Sequence, residues 1–343
     1  MHMADALVSP VVGGTMWAVS AVLIARCSSR IKNSGNDRLV PLMGVLGAFI
    51  FAAQMINFTI PLTGSSGHLG GGLLLAVLLG PSAAFLTIAS VLVVQALFFA
   101  DGGLLALGCN IFNLGFFPAF VAYPLLYKPL AGSSPTRGRL TAAAVIAAVV
   151  GLQLGAFGVV FETTLSGVSS LSFSSFLLLM QPIHLAIGVV EGLVTAAVLL
   201  FVHRARPELL DGAVSPQLSR SLKPVMVTFL LAALLTGALL SWFASEQPDG
   251  LEWSIAKVSG SKELRGPEAG LHSGFAAVQE KIALLPDYAF RKQNEGQMVQ
   301  AGTQLGTSLS GIVGGTATLL LALCAGFLAS RKKSALKGSD AFR

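Results

Sequence analysis

The sequence predicts an all-α integral membrane protein, in which a seven-helix bundle is followed by two further spans around a long extramembrane loop. The first observation is composition, because 54% of the 343 residues are hydrophobic and only 11% are charged, whereas soluble domains average about 25%. The second is a series of apolar runs, most of them near the roughly 17–25 residues that cross a bilayer as a helix. The third is that basic residues concentrate in alternate loops between these runs, as in membrane proteins of fixed orientation.

The apolar runs define the predicted helices in chain order. They cover about residues 8–26, 39–61, 70–80, 82–99, 104–127, 139–162, 173–203, 223–244 and 306–330. The run 70–80 is too short to span and ends at Gly80-Pro81. We therefore expect it to pair with 82–99 as one bent or re-entrant element, which membrane proteins tolerate beside a polar cavity.

The chain divides into two predicted parts. Residues 1–205 hold the seven-helix bundle, and the mixed-charge stretch 206–222 is predicted to be a cytoplasmic linker. Residues 223–332 hold two spans around the loop 245–305. In that loop, apolar residues recur at helical spacing and predict an amphipathic helix. These residues are Leu271, Phe275, Val278, Ile282 and Leu285.

Loop charge predicts the orientation. Most of the 22 Lys and Arg residues follow the first run, precede 139–162, occupy the linker or end the chain, so we place these regions in the cytoplasm. The loops 62–69, 100–103 and 163–172 contain no Lys or Arg, so we place them outside together with the N-terminus. The expected location is the cell (inner) membrane, with a cytoplasmic C-terminus. The net charge of +6 does not indicate a nucleic-acid partner, because the basic residues do not cluster with aromatic residues.

Met1-His2 combines a free α-amine with an imidazole at the start of this apolar chain. The amine, the His2 backbone nitrogen and His2 Nδ1 can close two fused chelate rings on one ion, and a fourth nitrogen would complete a planar site suited to Ni(II) or Cu(II). His68 is the best fourth ligand, because its glycine-rich loop lets the backbone approach closely and shares the predicted outer side. His2 could also be an incidental second residue or a cloning remnant, and His68 a polar residue of an exposed turn.

Further polar residues are candidates for orienting the ligands or for guiding the ion in transit. These candidates are Ser66, Asn57, Asp101, Asn110, His184 and Glu191. His184 and Glu191 share one helix face within a predicted span, where ionisable residues are usually functional; the alternative is a buried network that braces the bundle. Asp101 could assist ion access or cap a turn. His203 and His272 are expected to be solvated.

Small residues recur at four-residue spacing in the second run, at Gly44, Ala48 and Ala52. Such stripes permit close helix packing, either within this chain or against an external membrane partner. The sequence contains no P-loop and no nucleophile elbow, so a transport subunit of this kind would depend on another protein or on a gradient for energy.

Several stretches resemble the NikM/CbiM family of substrate-binding S components from energy-coupling-factor (ECF) nickel and cobalt transporters. These stretches are Met1-His2, Thr63 to Gly71, Asp101 to Asn110, and His184 to Gly192. Pro248-Asp249-Gly250-Leu251-Glu252 and Pro286-Asp287-Tyr288 resemble the small accessory (NikN-like) subunit often fused to them. Together the resemblance covers nearly the whole chain.

The resemblance implies seven helices in the first part and a metal held by the Met1 amine, the His2 backbone and ring nitrogens, and the His68 ring. It also implies a membrane coupling (T) subunit and two cytoplasmic ATPase subunits as partners, with ATP hydrolysis outside this chain. Ni(II) is the favoured substrate and Co(II) the alternative. An intramembrane metal enzyme using His184 and Glu191 is less favoured, because the sequence offers no good third ligand there. A metal sensor is also less favoured, because the loop 245–305 has one His and no Cys.

Overall fold

The computed structural model describes residues 2–34, 36, 38–133, 135–210, 221–261, 264, 270–290 and 300–330, and the side chains of 300–303 are outside this description. Its helices are α1 (Pro10–Ser34), α2 (Leu39–Gln54), α3 (Gly72–Leu79), α4 (Pro81–Phe98), α5 (Leu107–Ala131), α6 (Arg137–Ser166), α7 (Phe173–Ala205), α8 (Lys223–Ala238), α9 (Gly250–Ser259), α10 (Leu271–Ile282) and α11 (Gln300–Ser330). We call α1–α7 the N-terminal bundle and α8–α11 the C-terminal region.

Within the described residues, six helices are long and apolar enough to cross a membrane, namely α1, α4, α5, α6, α7 and most of α11. Helices α2 and α8 are apolar but shorter. The protein is therefore a mostly helical, multi-spanning membrane protein, as its composition predicts. The amphipathic helix predicted in the long loop is present as α10, although Leu285 lies beyond its last turn.

Helix α3 lies wholly inside the bundle, since all eight of its residues are buried. It ends at Gly80, which has a positive φ of 80°, and Pro81 then begins α4. Proline is favoured at the first helical position, because the N–H of that residue makes no hydrogen bond within the helix and its absence costs nothing. The run 70–80 therefore forms a short buried helix joined to α4 through a sharp break.

Two predicted helices are shorter in the structure than their apolar runs. The run 39–61 leaves the helix at Gln54 and continues into a small antiparallel hairpin, whose strands β1 (Phe58–Ile60) and β2 (Ser65–Gly67) pair Thr59 with Ser66. The all-α prediction missed this hairpin, because a short apolar run gives no periodicity that separates a strand from the end of a helix. The run 223–244 likewise ends its α-helix at Ala238 and continues as the turn Leu240–Phe243.

The small-residue stripe of α2 is covered by this chain's own C-terminal region. A Cβ built on Gly44 would lie 2.7 Å from Leu323 Cγ of α11, and Ala48 and Ala52 are buried against Ala233 of α8. The stripe therefore serves internal packing, and the prediction that an external partner packs on it is corrected accordingly. This packing fixes the C-terminal region beside α2, from where its loop reaches one end of the bundle.

Candidate metal site

The N-terminal segment is fixed in the fold by backbone hydrogen bonds at Met3. The Met3 N–H donates to Asn110 Oδ1 at 2.8 Å, and Asn110 Nδ2 donates back to the Met3 carbonyl at 3.2 Å. The Gly103 N–H also donates to that carbonyl at 2.9 Å. Two residues further on, Asp5 Oδ1 accepts from the Ala106 N–H. The start of the chain is thus held against the first turn of α5 and the loop before it, and this holds His2 in place.

His2 and His68 lie face to face at this end of the bundle. Their ring centroids are 5.0 Å apart and their planes differ by only 10°. His2 Nδ1 lies 2.9 Å from Asp101 Oδ1, while His2 Nε2 is buried with no hydrogen-bond partner among the described residues. The structure therefore brings together three of the predicted site residues, whereas Met1 lies outside the described residues.

Glu191 of α7 binds the backbone of the loop that carries His68. Its Oε2 accepts from the Gly70 N–H at 2.9 Å and its Oε1 from the Gly71 N–H at 3.1 Å. The Gly70 carbonyl accepts from Gln54 Nε2 of α2, and Gln54 in turn accepts from Gln95 of α4. Glu191 of α7 thus holds the backbone of the His68 loop directly, while Gln54 and Gln95 connect the same loop to α2 and α4.

Glycine is required at two places around this site by backbone geometry. Gly71 has a φ of 75°, and a Cβ there would lie 2.7 Å from Ile50. Gly102 has a φ of 85°, and a Cβ there would lie 2.9 Å from Asn110 Nδ2. Positive φ is accessible to glycine without steric cost, so both loops can approach the histidines closely.

Burial and charge set the protonation of the site. Burial lowers the pKa of His68, and the nearby Asp249 offsets only part of that effect, so the ring stays neutral and able to donate a lone pair. Burial alone would raise the pKa of Asp101, but His2 and the hydrogen bond from the Tyr288 hydroxyl outweigh it and hold that pKa well below its usual range. The site thus pairs neutral imidazole with a fixed negative charge, a combination that favours a cation.

The C-terminal region contributes Asp249 to the same place. The Ser66 N–H and hydroxyl donate to the Pro248 and Gln247 carbonyls at 2.8 and 2.7 Å, which docks this stretch on β2. Asp249 then caps α9 by accepting from the Leu251 and Glu252 N–H groups. Its other oxygen, Oδ2, lies 3.8 Å from His68 Nε2. The predicted site residue Ser66 therefore positions the accessory stretch through its backbone and its side chain.

A second contact of the C-terminal region reaches the Asp101 loop and the N-terminal segment. Tyr288 donates its hydroxyl to Asp101 Oδ2, and Gln279 Nε2 donates to the Gly102 carbonyl at 2.8 Å. His272 is buried and donates from Nε2 to the Val8 carbonyl at 2.9 Å, so the prediction that it is solvated was wrong. The hydrogen-bond acceptor of His272 is a backbone carbonyl, and the spacing of apolar residues in the sequence does not predict such a contact.

The remaining candidates lie around this centre. Asn57 borders a cavity of about 480 Å³ that His2, His68, Asp101 and Asp249 also line. His184 of α7 is buried, and its Nδ1 lies 2.8 Å from the Met180 carbonyl. Within the part of the chain that the structure describes, no three His, Cys, Asp or Glu side chains already stand in a metal-binding arrangement. Metal capture here consequently needs backbone or amine donors, or a movement of side chains.

Sequence reasoning did not place Asp249, Tyr288 or Gln279 at the site. Asp249 carried one usable signal, because Asp249-x-x-Glu252 is a capping-box pattern and both of its hydrogen bonds form. That pattern predicts a helix start, but not that the helix start docks on His68. Their position follows from tertiary docking between segments that are 177 to 187 residues apart in the sequence.

The comparisons with known proteins agree with this architecture. Residues 2–209 match the family described as cobalt uptake substrate-specific transmembrane region, and residues 223–331 match the PDGLE domain. The chain is 31% identical over 321 residues to the putative fused nickel transport protein NikMN of Archaeoglobus fulgidus, covering 94% of this chain and 96% of that protein. It is 31% identical to the cobalt transport protein CbiM of Sorangium cellulosum, covering 62% of this chain and 95% of that one.

The fold also matches a crystal structure of a truncated transition metal transporter, with a TM-score of 0.53 and 29% identity, covering 60% of this chain and 99% of that one. Fold, site and relatives together define a membrane transport component for a transition metal, not an enzyme. The chain belongs to the CbiM family, which includes the NikM proteins, and carries a fused NikN-like PDGLE domain.

Proposed function

We propose that this protein captures Ni(II) for uptake, with residues 1–205 as the capture unit, 206–222 as a cytoplasmic linker and 223–332 as the accessory unit. The metal would be held as substrate in a planar four-nitrogen site made by the Met1 amine, the His2 backbone nitrogen, His2 Nδ1 and the His68 ring. This donor set suits the tetragonal preference of Ni(II). Fused relatives named as nickel transport proteins support nickel.

One observation carries the proposal, which is the placement of His2 against His68. The rings are 5.0 Å apart, and His2 is kept there by the double hydrogen bond between Met3 and Asn110. An ion chelated by the start of the chain would therefore need only a short movement of His68 to gain its fourth ligand. Chelation would also require His2 Nδ1 to leave Asp101 and turn toward its own backbone nitrogen.

The energy for uptake would come from partners. A membrane coupling (T) subunit and two cytoplasmic ATPase subunits would drive the release of the ion on the other side of the bilayer. Loop charges support an orientation with the N-terminus and His68 outside and the C-terminus in the cytoplasm. The accessory unit would act on loading, since Asp249 and Tyr288 approach His68 and Asp101.

Co(II) uptake by the same device is the second candidate, because the family description and the Sorangium relative name cobalt. Parallel titration with both ions would rank them. A preference for Co(II) would move the proposal from nickel to cobalt and leave the ligands unchanged.

The test is calorimetric titration of Ni(II) into the purified full chain that begins at Met1, beside a chain with a short peptide added before Met1. We expect one Ni(II) to bind to the first chain and the affinity to collapse in the second, because the extension replaces the amine by an amide. Equal binding by both chains would overturn the terminal chelate. The variant His203→Gln, on the far half of α7, is the control for histidine loss in general.

A further inference from the structure

The ring of His184 is prepared as a metal ligand that the proposed four-nitrogen site does not use. Its Nδ1 lies 2.8 Å from the Met180 carbonyl, and a carbonyl only accepts, so Nδ1 carries the proton. In the neutral imidazole this leaves a lone pair on Nε2. That nitrogen has no hydrogen-bond partner among the described residues. Water cannot easily supply one, because His184 is only 1% exposed.

The ring of His68 also has its Nδ1 next to a backbone carbonyl. Its Nδ1 lies 3.2 Å from the Leu69 carbonyl, which again assigns the proton to Nδ1 and the lone pair to Nε2. Metal-ligating histidines usually donate their other ring N–H to a backbone carbonyl or a carboxylate, because this fixes the tautomer and the ring orientation. Two histidines of the bundle are therefore fixed in the ligand-competent tautomer on neighbouring elements.

Both histidines line one small cavity together with Asp249. The cavity has a volume of about 10 Å³, which is close to the space that one water molecule requires. His184 forms one of its walls, and the edge of its ring lies beneath Gly250, the first residue of α9. A carboxylate and two imidazoles thus line a space of single-ion size at the junction of the N-terminal bundle and the C-terminal region, and the rest of its wall is formed by glycines and by Leu114, Leu152 and Ile187.

The distance between two of these donors is compatible with a shared ion. Asp249 Oδ2 and His68 Nε2 are 3.8 Å apart. Two donors that each lie about 2.0–2.2 Å from one metal ion are separated by roughly 3–4 Å. Asp249 also supplies a carboxylate oxygen, which is a common ligand of divalent transition metals.

We propose that His184, His68 and Asp249 form a second binding position for a divalent transition-metal ion, which both parts of the chain build. Binding draws the three donors inward around the ion. Because His68 belongs to both positions, an ion can pass between this position and the terminal chelate by exchanging its other ligands. As a staging position it rests on the proposed uptake function, but its ability to bind an ion does not.

The ligand role of Asp249 can be tested separately from its role in capping α9. Asparagine caps helices about as well as aspartate, so Asp249→Asn should keep α9 in place while removing the anionic ligand. His184→Gln removes the imidazole from α7, and His203→Gln makes the same change on the same helix away from the cavity. The two site variants therefore probe one position from two separate elements.

The experiment uses Co(II) as the probe on the full chain with a short peptide before Met1, which disables the terminal chelate in every sample. Co(II) absorbs visible light much more strongly in a four-coordinate site than in its octahedral aqua ion, so absorption titration reports protein ligation directly. We expect one bound Co(II), with affinity lowered about tenfold or more by His184→Gln and by Asp249→Asn and unchanged by His203→Gln. Circular dichroism melts check that each variant is folded.

Absence of the strong absorption in the extended chain would overturn the proposal. So would binding that either site variant leaves unchanged, or a loss in His203→Gln equal to that in His184→Gln. Failure of the terminal chelate is read from a different experiment, the Ni(II) titration of the chain that begins at Met1. The two proposals can consequently fail independently.

Discussion

His2 Nδ1 lies 2.9 Å from Asp101 Oδ1, so the ring nitrogen that a terminal chelate needs is hydrogen-bonded to a carboxylate. The same carboxylate accepts the Tyr288 hydroxyl from the C-terminal region. Asp101 therefore connects the N-terminal segment to the accessory part of the chain, and it keeps a negative charge beside the place where the cation would bind.

Asp101→Asn is expected to weaken Ni(II) binding. The amide keeps an acceptor for His2 but removes a charge that attracts the ion, and this attraction is about 1 kcal/mol per unit of ion charge at 4 Å even in water. For a divalent ion we therefore expect a loss of at least about tenfold in affinity by calorimetry. Glu280→Gln, which also removes one carboxylate charge but from an exposed position of α10 that does not line the cavity, is the comparison. Equal or tighter binding in Asp101→Asn would show that the carboxylate competes with the metal.

Asn110→Ala should impair the site without touching a ligand. It removes the two hydrogen bonds between the Asn110 side chain and the Met3 backbone, and loss of such supporting contacts typically costs about 10- to 100-fold in metal affinity. Asn113→Ala lies about one turn further along α5 and removes a bond to Glu162 instead. Ni(II) titration of both variants should show a loss in the first only. Similar losses in both would indicate general damage to α5.

How far the sequence predicts this site depends on the kind of contact. Loop charge and a glycine-rich segment place His2 and His68 on one side, and the structure stacks the two rings. Polar residues inside apolar runs, such as Asn110 and Glu191, can also be identified in advance, because burying them is costly without partners. Their hydrogen-bond partners cannot be identified in advance. Glu191, for example, accepts from backbone N–H groups, and almost every residue carries such a group, so the sequence does not single out the partner.

The fold can likewise be predicted only in part, because contacts between distant segments are not visible in the sequence. Hydropathy predicts the long helices, because a membrane span is defined by length and apolarity. It extends α2 through β1, because residues after Gln54 remain apolar while the chain changes direction. Hydropathy also does not predict which element packs on Gly44. In the structure that element is α11, through Leu323.

Glu191→Gln tests whether this residue braces the His68 loop or contacts the ion in transit. Glutamine has one acceptor oxygen, so either the Gly70 or the Gly71 N–H loses its partner, at a cost of about 1–3 kcal/mol. We expect weaker Ni(II) binding by roughly tenfold in the isolated chain, with Glu162→Gln as the buried control. Unchanged binding together with slower uptake by the assembled transporter would instead favour the transit role.

Gly44→Val tests the internal packing of the stripe on α2. The added Cβ would meet Leu323 at 2.7 Å, and overpacking of this kind costs about 1–3 kcal/mol. The melting temperature of the isolated chain should fall. Gly14→Val is the matched control, because nothing lies within 4 Å of a Cβ at that position of α1. An unchanged melting temperature in Gly44→Val, with loss of partner assembly, would restore the external-partner interpretation.

The contacts from His272 to Val8 and from Ser66 to Gln247 join the N-terminal and C-terminal parts of a single polypeptide. A tethered segment meets its docking surface at an effective concentration in the millimolar range for short flexible linkers, however dilute the protein is in the membrane. Separate subunits would have to find each other by lateral diffusion and would part at low expression. Fusion therefore makes the support of the proposed metal site independent of protein abundance.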